Sequence, residues 1–199
     1  MERLKLDLVE KPLLTEDVRE QLELVSQILK WGTNGTKSLE TLYREIECGE
    51  SILSLDEDGN IIRNIDYVAI EVYFSTSNQI FRLREDRREF KNGFIETRDS
   101  EFESVFEKMK KGENATDAAF RGIEEELGIE SEGIRLLMRQ TEPLIYPPQE
   151  SNSYPGIPSV HTKYSLNALI DEKYFNHNGY IERQKDKTTY FKWELLHKF

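Results

Sequence analysis

The sequence predicts an α/β protein, on three observations: helical periodicity in two segments before residue 50, strand periodicity from Ser51 onward, and one further well-capped helix from Asn114 to Gly128. The first helix lies in TEDVREQLELVSQILKWG. Thr15 is a capping residue followed by acids, and Val18, Leu22, Val25, Ile28 and Leu29 recur at helical spacing before Gly32. A second helical pattern, SLETLYREI, follows the turn WGTNGTK. Residues 1–50 therefore form a helical extension, packing on the main domain or covering a partner, and residues 51–199 form the main domain.

The strands come next. SILSL and NIIRNI flank DEDG, a hairpin signal, and DYVAIEVYFS and QIFRLR read as successive strands. The stretch from Arg84 to Lys111 is charge-rich and only weakly periodic. After the third helix, strands are expected in IRLLMRQTEPLIY, VHTKYSLNAL and TTYFKWELL, with a loop, YPPQESNSYPGIPS, after the first. Five of the six prolines fall between Pro143 and Pro158, which makes this loop stiff and shaped.

The chain has 199 residues, enough for one substantial domain with an appendage. Its 37% hydrophobic, 33% charged and 11% aromatic residues describe a folded, well-solvated protein. A net charge of -11 argues against general nucleic-acid binding and against an anionic membrane surface, and an anionic substrate would need a metal ion or clustered arginines. Cys48 is the single cysteine, so no internal disulfide forms and a reducing compartment fits. MERLKLDLVEKP lacks a signal-type apolar core, and no apolar run reaches membrane-spanning length, so a cytoplasmic location is expected.

The segment GENATDAAFRGIEEELG carries the chemistry. Asn114 caps the helix, with Asp117 three residues on, and Gly128 ends it. Ala119, Phe120, Ile123 and Leu127 form its apolar side, while Gly122, Glu125 and Glu126 share the opposite face. Adjacent carboxylates on one turn repel each other. Either solvent screens them, or a divalent cation neutralises them.

Glu113, Arg121, Ile123, Glu125, Glu126, Gly128 and Ile129 stand at the spacing of the Nudix box, whose pattern is G-x5-E-x7-R-E-U-x-E-E-x-G-U with U aliphatic. The chain resembles the Nudix hydrolase superfamily closely over residues 113–129 and loosely from Ser51 to Leu196. Two positions depart: Glu107 stands where the pattern opens with Gly, and Gly122 stands where it places a Glu directly after the Arg. The resemblance implies an α/β/α sandwich with a mixed β-sheet, preceded here by the helical extension. It also implies Mg²⁺ or Mn²⁺ on Glu125 and Glu126, with Arg121 and Glu113 completing the catalytic set. In the family the Glu that Gly122 replaces shares in holding the metal, so the general base is left unassigned. Glu150 or Glu103 is a candidate outside ligand.

Arg121 is suited to holding carboxylates in fixed geometry, with Glu113 its natural partner or, alternatively, a plain helix-start charge. Interior glycine costs a helix about 1 kcal/mol relative to alanine. Gly122 thus marks either a close approach by a backbone or ligand, or a carboxylate lost without replacement. Arg82 and Arg84 open the basic run RLREDRREFK, a candidate phosphate contact or a self-paired hairpin surface. Tyr154, which could stack on a base, and His161 are the candidates from the proline-rich loop and the strand after it, the alternative being that these residues stabilise a turn.

The function implied is metal-dependent hydrolysis of a nucleoside diphosphate-linked, or other pyrophosphate-containing, small molecule. The alternative is a Nudix-fold module without hydrolysis that binds a nucleotide or a protein. A homodimer or a protein partner would dock through the N-terminal helices.

Overall fold

The computed structural model describes residues 14–97, 104–138 and 142–198. No helix among these residues is long and apolar enough to cross a membrane. The chain forms two units, one from residues up to 65 together with 146–161, the other from 66–145 with 162–199.

In the first unit, helix α1 (Glu16–Ile28) begins where Thr15 accepts a hydrogen bond from the Val18 amide at 3.4 Å. Helix α2 (Leu39–Cys48) begins in the same way at Ser38, which accepts from the Thr41 amide at 3.3 Å. Each cap satisfies a backbone donor that the first helical turn leaves without a partner. Strand β1 (Ile52–Leu55) then pairs antiparallel with the start of β2 (Ile61–Ser75). The expected hairpin turn is closed by Asp56, whose carboxylate accepts from the Asp58 and Asn60 amides at 3.0 and 2.7 Å.

This unit continues past residue 50, where the change in periodicity falls. The apolar faces of α1 and α2 bury Leu22 and Leu42 in one cluster with Leu53, Ile61, Tyr154 and Ile157. Strand and loop residues from beyond position 50 therefore complete the helical hairpin's core.

A buried cation ties the three segments together. Arg63 donates to Glu45 at 2.6 Å and to the Ser51 hydroxyl at 2.8 Å, and its guanidinium lies 4.9 Å from the centre of the Tyr154 ring. Removing one member of such a buried pair strands the other charge, at a cost of about 3–5 kcal/mol.

The second unit is built on a mixed sheet. Its strands are the remainder of β2, β3 (Gln79–Phe90), β4 (Ile95–Thr97), β5 (Val105–Lys108), β6 (Ile134–Met138), β7 (Leu144–Gln149, which runs into the first unit), β8 (Ser159–Ile170, which starts there), β9 (Tyr180–Arg183) and β10 (Lys187–Lys198). The order is β6-β8-β2-β3-β10-β9, with β5 pairing β2 and β4 pairing β3. The α/β class expected from the sequence is the one observed.

Three readings of the sequence are corrected in detail. The charge-rich stretch after Arg84 holds the second half of β3 and all of β5. β7 extends into the proline-rich segment as far as Gln149. β9 has no counterpart among the expected strands.

Helix α3 (Ala115–Leu127) lies where its caps predict. Asn114 accepts from the Asp117 amide at 3.0 Å, and Gly128 adopts φ 68°, a left-handed conformation that glycine enters without a Cβ clash. Ala118, Ala119, Ile123 and Leu127 are buried in the unit's core with Val68, Ile70 and Val105. Burial of a side chain such as Ile123 contributes about 1.5–3 kcal/mol.

Candidate functional site

Arg121 is the hub of the site. Its Nε and Nη2 donate to the two oxygens of Glu113 at 2.9 and 2.8 Å, and Nη2 also donates to the Lys108 carbonyl at 2.8 Å. The expected partnership with Glu113 is thus a two-point clamp, which fixes both planes at once. The clamp holds the Glu113 carboxyl below the usual carboxylate range, first through the Arg121 hydrogen bonds, and raises the Arg121 guanidinium in turn. Glu113 also accepts from the Lys110 amide at 2.8 Å, so the turn between β5 and α3 is braced at both ends.

The remaining nitrogen of Arg121, Nη1, lies 2.8 Å from Glu107 and 3.6 Å from Glu125. One guanidinium therefore gathers carboxylates from β5 and α3. Gly122 explains how the strand comes so close. A Cβ built on it would stand 2.7 Å from the Glu107 Cβ and 3.3 Å from Val105 Cγ1. Gly122 is consequently buried under β5, while Glu125 on the same helix face stays exposed.

Beside this contact lies a cleft of about 180 Å³. Its walls carry Glu125 and Glu126 from α3, Glu107 from β5, Glu85 and Arg88 from β3, Glu182 from β9, and Lys187 and Thr189 from β10. Strand register creates one wall, because Thr189 pairs with Arg88 on one side and Glu182 on the other. The three residues form a row across adjacent strands, so their side chains share a face.

Glu126 is half-buried here, and its carboxyl is pushed up to about 9. Burial is the main cause, followed by the negative charges of Glu182, Glu107 and Glu85, with Lys187 opposing. Lys187 is itself shifted down, by burial first and then by Arg88. Arg88 is held by Glu85 at 2.6 Å. Thr189 is buried, and its Oγ1 has no hydrogen-bond partner among the described residues.

The donor set suits a hard cation: carboxylate oxygens and one hydroxyl, with an acid whose charge is penalised by its neighbours. Among the described residues no three His, Cys, Asp or Glu side chains already converge as a closed cage.

The other candidates lie elsewhere. Arg82 and Arg84 donate to Glu194 at 2.9 and 3.1 Å and do not line the cleft, while Arg87 pairs with Asp86 and Glu89. The basic run is thus paired partly within itself, through Arg87 and Arg88, and partly to Glu194 on β10, and of its arginines Arg88 reaches the cleft. Tyr154 does not offer its ring to a base: it is fully buried in the first unit, with its centroid 5.2 Å from that of Trp31. The buried phenol is shifted up, through burial first and then Glu45. His161 is half-buried in the first unit and is not a cleft residue. Glu150 accepts from the Gly156 amide at 2.8 Å and serves its loop. Glu103 lies outside the described residues.

No family model matches the chain, and no curated protein matches it. Solved structures do. A C. elegans Ap4A hydrolase is 15% identical, with 67% of this chain and 80% of that chain covered and a TM-score of 0.36. A binary complex of a C. elegans Ap4A hydrolase gives 14% identity, the same coverage and a TM-score of 0.38. The E. coli dihydroneopterin triphosphate pyrophosphohydrolase is 15% identical, with 64% and 78% covered and a TM-score of 0.38.

Glu182, Lys187 and Thr189, which sequence reasoning did not single out, join Glu85 and Arg88 of the basic run to make up most of the sheet side of the cleft. No local motif marks them. Only the β3-β10-β9 register brings them together.

Proposed function

We propose that this chain is a Nudix-type hydrolase that cleaves a phosphoanhydride bond in a nucleoside diphosphate-linked or related pyrophosphate substrate, using Mg²⁺ or Mn²⁺. The observation that carries this reading is the arrangement of the box. Arg121 clamps Glu113 and gathers Glu125, and Glu126 enters a cleft lined by further carboxylates.

Glu125 and Glu126 would hold the cation. When bound, it would polarise phosphate oxygens and make an attacking water more acidic. Arg121 orients the acids and Glu113 orients Arg121. Lys187 presents a cation to an anionic substrate from the opposite wall. Burial and the neighbouring carboxylates push the Glu126 carboxyl up to about 9, and a cation held there would offset that negative charge.

The test is phosphate-product release across nucleoside triphosphates, dinucleoside polyphosphates, nucleotide sugars and ADP-ribose, with and without Mg²⁺ or Mn²⁺. Metal-dependent turnover abolished by Glu126→Gln is expected. Silence across the panel, from protein that melts cooperatively, would overturn the hydrolase in favour of a binding module.

A further inference from the structure

We propose that Glu107 supplies from strand β5 the carboxylate that the box pattern places on the helix at position 122, so that the cation is held between strand and helix by Glu107, Glu125 and Glu126. This rests on the hydrolase reading and specifies the ligand set of the same site.

The two departures from the pattern are the same pair of residues exchanged: Glu stands where Gly is expected, and Gly stands where Glu is expected. They lie fifteen positions apart in the chain, yet the fold sets them face to face. At 2.7 Å between the Glu107 Cβ and a Cβ on residue 122, the contact has room for one side chain. Real Cβ atoms do not approach this closely, and neither atom is the flexible end of a side chain that could swing aside. A side chain at both positions is strained, so an acid at one favours glycine at the other.

The acid reaches the same place from β5. Glu107 lines the cleft together with Glu125 and Glu126. It shares Arg121 Nη1 with Glu125, so the guanidinium that orients the helix acid also orients the strand acid. Gly122 therefore does not mark a lost ligand.

A second feature points to a ligand independently of the acids. Thr189 Oγ1 is buried in the cleft wall with no hydrogen-bond partner among the described residues. A buried hydroxyl left unpaired costs free energy, and water or a cation's hydration shell in the cleft would satisfy it.

The experiment is Mn²⁺ titration of the full chain by calorimetry, with melting curves in parallel, on wild type, Glu107→Gln, Gly122→Glu and the double variant Glu107→Gly/Gly122→Glu. Glu107→Gln keeps a hydrogen-bonding group for Arg121 while removing the charge. It is expected to weaken Mn²⁺ by about tenfold or more, with a cooperative metal-free melt showing that the variant is folded. Gly122→Glu alone is expected to melt lower than wild type, and the double variant to recover both stability and Mn²⁺ binding.

Wild-type affinity in Glu107→Gln would overturn the exchange while leaving the hydrolase reading intact, provided wild type binds Mn²⁺ and turns over substrate. Failure of folded wild type to bind Mn²⁺ would overturn both. If the double variant does not fold, Glu107→Gln decides alone.

Discussion

Replacing Gly122 by alanine is the sharpest steric test of the site. In an open helix interior the change would gain about 1 kcal/mol, because glycine is the poorer helix former. Here the new methyl would stand 2.7 Å from the Glu107 Cβ and 3.3 Å from Val105 Cγ1. Forcing a methyl into packed surroundings costs about 1–3 kcal/mol, so against the helix gain a net loss of up to about 2 kcal/mol is expected. For a chain of this size that lowers the melting temperature by up to about 8 °C. In a Glu107→Gly background the closest atom is gone, leaving only the 3.3 Å contact, and the same substitution should become neutral or stabilising. The four proteins form a double-mutant cycle, read by urea denaturation, with an expected coupling of about 1–3 kcal/mol. Equal effects of Gly122→Ala in both backgrounds would refute the reasoning.

Three further outcomes follow from the geometry. Glu126 has its folded-state carboxyl raised to about 9 from 4.5, so the folded protein binds the extra proton, and its contribution falls as pH rises through that window. Glu126→Gln should therefore stabilise the metal-free protein, little at pH 4.5 and by on the order of a few kcal/mol near pH 9, as melting curves at both pH values would show. Arg121→Lys keeps the charge but loses the two-point clamp on Glu113, and should lower stability by about 1–3 kcal/mol, with faster amide exchange at Lys110. Tyr154→Ala should cost about 3–5 kcal/mol by emptying a packed core site, yet leave Mn²⁺ affinity unchanged in the protein that remains folded; weaker Mn²⁺ binding would return Tyr154 to the functional site.

The sequence made the helix side of the site legible because its signals are local. Asn114, Arg121, Glu125, Glu126 and Gly128 are fixed by spacing along one helix, and spacing along a helix determines which side chains share a face. The burial of Gly122 was not legible, since it depends on which strand crosses the helix. The sheet side was invisible for a related reason. Glu85, Arg88, Glu182 and Thr189 become neighbours only through a register of three strands, and β9 is a four-residue segment with no strong pattern of its own. Tyr154 misled because a tyrosine in a proline-rich loop suggests exposure, whereas here the loop packs its ring under Arg63 and against Trp31.

The Arg63 cradle also has a consequence for the order in which the protein matures on the ribosome. Helices α1 and α2 and strand β1 emerge early, but Tyr154 and Ile157, which close their core, are made roughly a hundred residues later. At about 5–20 residues per second, the delay is on the order of 5–20 s. During it, Trp31 lacks its aromatic neighbour and the Pro155 carbonyl to which it later donates. Though it leads the chain, this unit is completed only once the proline-rich segment has been made, and its nascent apolar face is where a chaperone would have most to hold.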